Sequence, residues 1–258
     1  MSYENILFQI DGAVARLTLN RPEKLNSFTA AMHRELRDAL AQVTRESGMR
    51  CLLITGAGRG FCAGQDLADP EVTDDLGATV ERDYAPLVRS IRALPLPVVC
   101  AVNGVAAGAG ANLALACDIV IAKQSASFLE PFCKLGLIPD TGGTYFLPRL
   151  AGTARAMGLA MLGEKISAQQ AADWGLIWKC LPDENFSAEV EALVAQLAAA
   201  PTLGLAKMKQ AIYASANATL DQQLVAEADA MREMGRSRDF REGVDAFLNK
   251  RVPVFRGE

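Results

Sequence analysis

The sequence has little histidine and no excess of positive charge. Its single histidine, His33, stands beside Arg34 in a predicted helix, and we expect it to lie at the surface. A catalytic triad built on histidine therefore has no support. The 258 residues include 26 lysines and arginines against 30 aspartates and glutamates, a net charge of −4. That balance disfavours an extended cationic surface, so no nucleic-acid partner is expected.

Paired cysteines and a signal sequence are also missing. Six cysteines are scattered along the chain without a CxxC pair or a metal-ligand spacing: Cys51, Cys62, Cys100, Cys117, Cys133 and Cys180. In a chain of this length, most such cysteines behave as small apolar side chains and indicate a reducing compartment. Residues 1–5 carry neither the basic nor the apolar part of a signal peptide, so we expect a cytoplasmic protein. Because the cysteines lack a metal-ligand spacing, we expect no bound metal.

One uncharged stretch, residues 98–117, resembles a membrane helix in its apolar character. Gly104 and Gly108 within it have the spacing of small residues at membrane helix pairs. Asn103 and Asn112, together with the glycines, instead divide the stretch into a strand, a loop and a short helix. We therefore expect a buried passage of the chain and no membrane span.

Strands and helices alternate through the first two thirds of the sequence. Alternating residues predict a strand over 14–20 that pairs with 5–10 through Asp11-Gly12. Further apolar runs predict buried strands at 51–55, 98–102, 119–122 and 176–181. Beyond about residue 186 the pattern is helical only, with Pro201 as a joint between helices. We expect an α/β core over residues 1–195 and a C-terminal helical region over 196–258.

A glycine-rich segment follows the predicted strand at 51–55. Gly58, Gly60 and Ala63 match the dinucleotide-binding pattern G-x-G-x-x-A, which keeps an NAD-dependent oxidoreductase as a remote alternative. That pattern requires a helix directly after it, whereas residues 68–75 are typical of a loop. A simple surface turn would explain the glycines but not the uncharged residues 61–63 among them.

Two further segments carry candidate chemistry. Residues 102–112 are small and run from a buried strand into a short helix, whose first N–H groups have no partner within the helix. An anion is favoured there, although close packing of strand on helix explains the same residues. In the segment 134–143, Asp140 lies between an apolar run and two glycines. Its local sequence alone favours an ordinary turn residue.

These segments occur in the order seen in the crotonase, or enoyl-CoA hydratase/isomerase, superfamily. The resemblance spans nearly the whole chain and rests on separated motifs at 20–26, 56–67, 103–110, 118–122, 135–143 and 241–251. It implies a spiral of ββα units with a C-terminal helical region that builds a homotrimer or a dimer of trimers. It also implies an acyl-CoA substrate, no separate cofactor, and an oxyanion hole made by the N–H groups of Gln65 and Ala109.

Departures from the family pattern indicate the reaction. The positions at which the resembled hydratases carry two glutamates hold Asn112 and Phe132, and neither side chain exchanges protons at neutral pH. Asp140 falls where several family isomerases have their acid/base group, so the resemblance favours catalysis over a turn role. We expect apolar surroundings near Phe132 and Leu137 to raise the pKa of Asp140. Glu130 would share a face with Phe132 and is a further candidate.

The resemblance thus implies an isomerase of acyl-CoA esters in which one carboxylate moves a proton. The expected reactions, in phenylacetate catabolism, are conversion of the ring epoxide of phenylacetyl-CoA to an oxepin and a shift of 3-enoyl-CoA to 2-enoyl-CoA. An enoyl-CoA hydratase and an acyl-CoA thioester hydrolase on the same scaffold stay as alternatives.

Residues expected to bind the CoA ester come from all of these segments. They are Lys24, Leu25, Ala63, Asp66, Leu67, Gly108, Phe132, Leu137 and Lys250. The basic residues predicted to meet the CoA phosphates are Arg21, Lys24, Lys250 and Arg251, for which plain surface exposure is an equal explanation.

Overall fold

The computed structural model describes residues 3–71 and 75–258 of the chain. Its strands are β1 (Ile6–Asp11), β2 (Val14–Leu19), β3 (Cys51–Gly56), β4 (Gly60–Cys62), β5 (Val98–Val102), β6 (Val105–Ala107), β7 (Ile119–Lys123), β8 (Ser127–Leu129), β9 (Ile166–Ser167) and β10 (Lys179–Leu181). Its helices are α1 (Ala30–Arg45), α2 (Leu76–Thr79), α3 (Ala85–Ala93), α4 (Ala109–Leu115), α5 (Gly143–Ala151), α6 (Thr153–Leu162), α7 (Ala168–Asp173), α8 (Asp183–Ala199), α9 (Thr202–Ser215), α10 (Leu220–Met234) and α11 (Arg238–Leu248). A π-helical stretch, Val80–Tyr84, joins α2 to α3, and 3₁₀ turns occupy Pro22–Lys24 and Pro131–Leu135.

Two sheets organise these strands. The larger has the order β1-β2-β3-β5-β7-β10 and is parallel except for the β1–β2 hairpin, whereas the smaller has the order β4-β6-β8-β9. The consecutive pairs β3–β4, β5–β6 and β7–β8 each place one strand in either sheet. Helices follow each pair, so the described residues form the spiral of ββα units that the family resemblance implies.

The larger sheet is covered by apolar side chains on both faces. Within β3, Leu52 and Ile54 join the main core, whereas Cys51 and Leu53 belong to a second cluster with Phe186 of α8. Successive side chains of a strand point to opposite faces, so an apolar run needs cover on both sides. Helix α8 supplies that cover on one of them.

The predicted hairpin is confirmed, and capping side chains begin two of the helices. The predicted hairpin is formed by β1 and β2, with Asp11 opposite Val14. Thr29 caps α1, because its side chain accepts a hydrogen bond from an N–H of the first turn. Ser167 caps α7 in the same way by accepting from the Gln170 N–H.

The last strand is shorter than the sequence predicts. A strand is expected over 176–181, but β10 begins only at Lys179. The N–H groups of Leu176 and Ile177 lie 2.9 and 3.3 Å from the carbonyl oxygen of Ala171. These groups close the end of α7 and are therefore not available to the sheet.

The sequence pattern also misses the smaller sheet. Phe61 and Cys62 lie in β4 and are fully buried, which explains the uncharged residues within the glycine-rich segment. The same strand contradicts the dinucleotide-binding alternative, because the segment after Gly58 forms β4 and not a helix. Part of the loop predicted at 68–75, residues 72–74, lies outside the described residues.

The uncharged stretch and the C-terminal part fold largely as expected. Residues 98–117 form β5, β6 and α4, and no helix within 3–71 or 75–258 is long and apolar enough to cross a membrane. From Asp183 onward the regular structure is helical, and Pro201 separates α8 from α9. Because α8 runs across residue 195, the proposed division into two regions at that residue stays a prediction.

Candidate active site

Two glycine-containing loops lie side by side. One follows β4 and carries Gly64 and Gln65, and the other follows β6 and carries Gly108 and Ala109. A Cβ atom built on Gly64 would lie 2.9 Å from the Ala107 carbonyl oxygen and 3.6 Å from the Ala109 nitrogen. Since β4 and β6 are parallel neighbours, both loops leave the same edge of the smaller sheet.

Both loops turn at a glycine with a positive φ angle. The value is 90° at Gly64 and 52° at Gly108, a range that residues with a side chain rarely adopt. Each glycine therefore redirects the backbone immediately before the residue whose N–H is the predicted oxyanion donor.

The N–H groups of Gln65 and Ala109 have no hydrogen-bond acceptor within residues 3–71 and 75–258. Gln65 forms a parallel bridge with Phe28, in which the Phe28 N–H donates to Gly64 and the Asp66 N–H donates to Phe28, at 2.7 and 2.9 Å. Ladder geometry then turns the Gln65 N–H to the opposite side. Ala109 is the first residue of α4, where an N–H has no helical partner. Neither group donates to any of the described residues.

Gln65 and Ala109 both line a cavity of about 270 Å³. Most of the predicted site residues line it: Ala63, Gln65, Leu67, Gly108, Ala109, Phe132, Leu137 and Asp140. The lining is mainly apolar, which suits an acyl group, and its polar groups are few and convergent.

Asp140 brings a carboxyl group to this cavity. The residue follows the 3₁₀ turn Pro131–Leu135 and is half-buried. Burial raises the pKa of the Asp140 carboxyl above its ordinary value, while a hydrogen bond of 2.8 Å from Thr141 Oγ1 to Oδ1 acts in the opposite direction. The predicted apolar neighbours, Phe132 and Leu137, line the same cavity. The expected direction of the pKa shift is confirmed.

The two positions that hold glutamates in the resembled hydratases are chemically inert here. Phe132 lines the cavity, and its ring packs beside Gly108. Asn112 is fully buried in α4 and donates from Nδ2 to the Asp140 carbonyl oxygen at 3.0 Å. Glu130 is buried but does not line the cavity, so the predicted sharing of a face with Phe132 is wrong. The 3₁₀ turn that begins at Pro131 replaces the extended backbone on which that prediction depended.

The helical stretch after residue 75 supplies a wall of the cavity that the sequence pattern did not reveal. Leu76, Thr79, Val80 and Tyr84 line it, and the Tyr84 hydroxyl donates a hydrogen bond to Gln65 Oε1. Helical spacing of apolar residues indicates a buried face but does not distinguish a core from a cavity. The pattern alone therefore carried no functional signal.

Comparison with known proteins places this geometry in a family. A family model for enoyl-CoA hydratase/isomerase matches residues 9–258. The chain belongs to the enoyl-CoA hydratase/isomerase family.

Individual relatives agree with this assignment over the full length. The chain is 57% identical over 260 residues to "1,2-epoxyphenylacetyl-CoA isomerase" of Escherichia coli (strain K12), with 99% of each chain covered. It is 49% identical over 258 residues to "Probable enoyl-CoA hydratase" of Rhodobacter capsulatus, with all of both chains covered. The crystal structure of an enoyl-CoA hydratase from Bacillus anthracis matches with a TM-score of 0.93 at 34% identity, covering 99% of this chain and 100% of that one.

Four residues predicted to bind the CoA ester in this family member lie outside the cavity lining. Leu25 contacts a lining residue without lining the cavity itself: its carbonyl oxygen accepts a hydrogen bond of 2.9 Å from the Ala63 N–H. Lys24 is exposed on the neighbouring 3₁₀ turn, and Lys250 is exposed beyond α11. Asp66 is engaged by Arg21. The binding roles of these residues stay predictions.

Both arginines predicted to meet phosphate already have carboxylate partners. Arg21 forms an ion pair of 2.9 Å with Asp66, and Arg251 pairs with Glu242 and Asp245 at 2.6 and 2.5 Å. A phosphate would have to compete for these guanidinium groups. Lys24 and Lys250 are therefore the stronger candidates.

His33 is buried, contrary to the surface position that the sequence predicts. Its ring stacks on Phe28 and packs edge-on against Tyr84, with centroid distances of 5.1 and 4.4 Å. The buried side of α1 extends to position 33, although the adjacent Arg34 is exposed. Burial lowers the pKa of His33 to about 4, so the imidazole is neutral at neutral pH.

The described residues contain neither a cluster of metal-binding side chains nor a disulfide bond. Residues 3–71 and 75–258 contain no group of three or more histidine, cysteine, aspartate or glutamate side chains suited to a metal ion. The six cysteines are free thiols.

Proposed function

We propose that this chain is an acyl-CoA isomerase in which Gln65 and Ala109 bind the thioester oxygen and Asp140 moves a proton. The observation that carries the proposal is that Gln65, Ala109 and Asp140 line one cavity, and that the N–H groups of the first two have no acceptor among the described residues. Hydrogen-bond donors fixed where negative charge develops stabilise an enolate more than they stabilise its parent thioester. Removing one such donor typically costs about 3 kcal/mol of transition-state stabilisation.

The proton transfer requires only one carboxylate. Asp140 in its ionised form takes the proton from the carbon next to the thioester, and the electron pair moves onto the oxygen held by the two N–H groups. The protonated Asp140 then returns the proton to another carbon of the same acyl group. No atom is gained or lost, so the carboxylate is regenerated and the net reaction is an isomerisation.

Two substrate classes fit this shuttle. In a 3-enoyl-CoA ester, returning the proton to the far carbon moves the double bond into conjugation with the thioester. In the ring epoxide of phenylacetyl-CoA, the C–C bond between the two epoxide carbons breaks while both C–O bonds remain, which gives the seven-membered oxepin ring. The proton taken from the carbon next to the thioester returns to a ring carbon. The Escherichia coli relative named for the epoxide supports the second class, and we propose it as the principal one.

A hydratase is the less favoured alternative because hydration needs a group that activates water beside the substrate. Asn112 and Phe132 occupy the positions at which the resembled hydratases have glutamates, and Glu130, the acid nearest to them in sequence apart from Asp118, does not line the cavity. Turnover in ¹⁸O-labelled water separates the reactions. An isomerase product contains no label, whereas a hydratase or a thioester hydrolase incorporates it.

Replacing Asp140 with asparagine tests the proposal. We expect kcat for both substrates to fall by about 10²–10⁴-fold, the usual contribution of a positioned acid/base group, with little change in CoA-ester affinity. Asp229→Asn is the matched control, because Asp229 lies exposed in α10 and pairs with Arg232. Retained turnover in Asp140→Asn would refute the assignment.

We further propose that three copies assemble through the C-terminal helical region, as the family resemblance implies. Exposed apolar residues of α10 and α11, including Leu220, Met231 and Phe247, support an interface there. Sedimentation equilibrium should give the mass of a trimer or of a dimer of trimers. A monomer at micromolar concentration would contradict this part of the proposal.

A further inference from the structure

Glu130 is a buried acid that the proposed proton transfer does not use. It lies between β8 and the 3₁₀ turn Pro131–Leu135, with 2% of its surface exposed. Its carboxyl group is 3.3 Å from Asn112 Nδ2, a neutral donor, and no described residue forms an ion pair with it. A buried carboxylate without a cation is costly, so this arrangement favours the neutral acid.

The Asn112 amide links Glu130 to the backbone of Asp140, the proposed acid/base residue. Its Nδ2 has two hydrogens, and they account for the contacts to Glu130 and to the Asp140 carbonyl oxygen at 3.0 Å. Its Oδ1 is buried without a donor among the described residues. An ionised Glu130 has only acceptors to offer, whereas a protonated Glu130 carries an O–H group in addition to its carbonyl oxygen.

We propose that Glu130 is a positioning residue that is protonated in the active protein and, paired with the Asn112 amide, holds the Asp140 backbone at the cavity. A carboxylic acid and an amide complement each other because the acid accepts from the amide nitrogen and donates to the amide oxygen. That pairing gives the orphan Oδ1 the donor it lacks. The inference rests on the proposed function, since Asp140 is the group that it positions.

The charged groups around Glu130 favour the neutral form. Among the described residues, Asp140 is the one charged side chain that shifts the pKa of Glu130. Its negative charge disfavours a second carboxylate nearby and so raises that pKa. Lys134 is near, because its Cε atom and the Glu130 carbonyl oxygen would lie 3.2 and 3.3 Å from a Cβ atom built on Gly163, but it forms no ion pair with the Glu130 carboxyl. The guanidinium groups of Arg149 and Arg155 lie over the rings of Tyr145 and Trp174. Burial, assisted by Asp140, raises the pKa of Glu130 to about 8.

Ionisation of Glu130 would then remove activity at alkaline pH. Its loss of a proton takes away the donor to Asn112 and places a second negative charge near Asp140 and the enolate. Below pH 8 the protonated acid maintains the arrangement. The wild-type kcat/KM at pH 9 should therefore be about tenfold lower than at pH 7, as expected one pH unit above the pKa.

Two variants distinguish positioning from simple packing. Glu130→Gln keeps a neutral donor and acceptor, so we expect kcat/KM near the wild-type value at pH 7 and less than a twofold fall between pH 7 and pH 9. Glu130→Leu removes both groups, so kcat at pH 7 should fall about tenfold with KM changed less than threefold. An alkaline decline in Glu130→Gln equal to that of the wild type would overturn the proposal. So would a Glu130→Leu protein as active as Glu130→Gln.

Infrared spectroscopy tests the protonation state without any substrate. We expect a protonated-carboxyl band at pH 7 that disappears above pH 9, persists in Asp140→Asn and is absent from Glu130→Gln. A wild-type spectrum without the band would overturn the role of Glu130 even if Asp140→Asn is inactive. A fully active Asp140→Asn protein that shows the band would instead overturn the proposed function, so the two failures are distinguishable.

Discussion

The cavity region and the C-terminal helices differ in which kind of side chain they bury: polar groups are buried near the cavity, whereas apolar groups are exposed on the C-terminal helices. Around the cavity, polar groups such as Asn112 and Glu130 are buried and hydrogen-bonded to each other. In α10, by contrast, none of the residues Leu220–Met234 is buried, and large apolar side chains face outward. Phe247 of α11 is 82% exposed. A single chain therefore brings the residues of the proposed site together but leaves the apolar C-terminal surface exposed.

This difference suggests that the two regions have separate determinants of function and of assembly. The C-terminal helices are joined to the core by a small number of buried polar contacts. Lys209 of α9 pairs with Asp118 beside β7, and Arg50 donates to Thr202 and to the carbonyl oxygens of Ala200 and Phe255. We call these contacts, of Lys209 with Asp118 and of Arg50 with the C-terminal part, the joint. Substitutions at the joint should change the free energy of unfolding, whereas substitutions at the cavity should change kcat.

Breaking the joint should give the largest effect. Lys209 Nζ lies 2.9 Å from Asp118 Oδ2, with 7% and 15% of the two side chains exposed. Lys209→Ala leaves the Asp118 carboxylate buried without its cation, so we expect a loss of about 3–5 kcal/mol in the free energy of unfolding. Urea denaturation measures this loss.

The neighbouring Lys207 provides a matched control in the same helix. Its ion pair with Glu233 is far more exposed, at 31% and 54%, so Lys207→Ala should cost less than about 1 kcal/mol. CoA-ester affinity of the folded Lys209→Ala protein should change little. Equal destabilisation by the two variants would show that the buried pair is not the joint.

Gly108→Ala should have the next largest effect, now on chemistry. The new Cβ atom would meet the Phe132 ring at 3.4 Å, and alanine rarely adopts the φ of 52° found there. The Ala109 N–H should therefore shift, and kcat should fall by about 10²–10³-fold, as for loss of an oxyanion donor.

Gly158→Ala is the control for that variant, because a Cβ atom at Gly158 in α6 meets nothing within 4 Å. We expect unchanged kcat and a small gain in helix stability, up to about 1 kcal/mol. A folded Gly108→Ala protein with wild-type kcat would contradict the claim that the backbone conformation at Gly108 places the Ala109 N–H for catalysis.

His33 sets a pH dependence of stability within the core. Its folded pKa of about 4 lies below the ordinary 6.5, so the unfolded chain binds the proton more readily. The contribution of neutral His33 is complete above pH 6.5 and is lost as pH falls toward 4, by up to about 3 kcal/mol.

His33→Leu should remove the pH dependence of the free energy of unfolding between pH 4 and pH 6.5, because leucine does not titrate. The replacement leaves no hydrogen-bond partner unsatisfied, since neither ring nitrogen of His33 has a partner among the described residues. The difference in the free energy of unfolding between wild type and variant, measured from pH 7 to pH 4, isolates the effect. A difference that does not change with pH would contradict the neutral buried state.

The family resemblance indicated two residues, Gln65 and Ala109, that the structure places at one cavity, but the sequence did not show what surrounds them. Gly64, Gly108 and the residues after them stand in motifs that are local in sequence, so the resemblance located them directly. The wall containing Tyr84 and the burial of His33 depend on how α1 and the helical stretch up to Ala93 pack together. Side-chain period does not encode that packing, and short strands such as β4 are too brief to show a period at all.

Hydrogen exchange at the carbon next to the thioester tests the central claim most directly. Phenylacetyl-CoA has the acidic C–H bonds but no epoxide, so incubation in D₂O reports enolate formation alone. We predict that the wild-type protein incorporates deuterium there and that Asp140→Asn binds the ester but exchanges at least 100-fold more slowly, within the range expected for loss of an acid/base group of about 10²–10⁴. Exchange by Asp140→Asn at the wild-type rate would contradict the account.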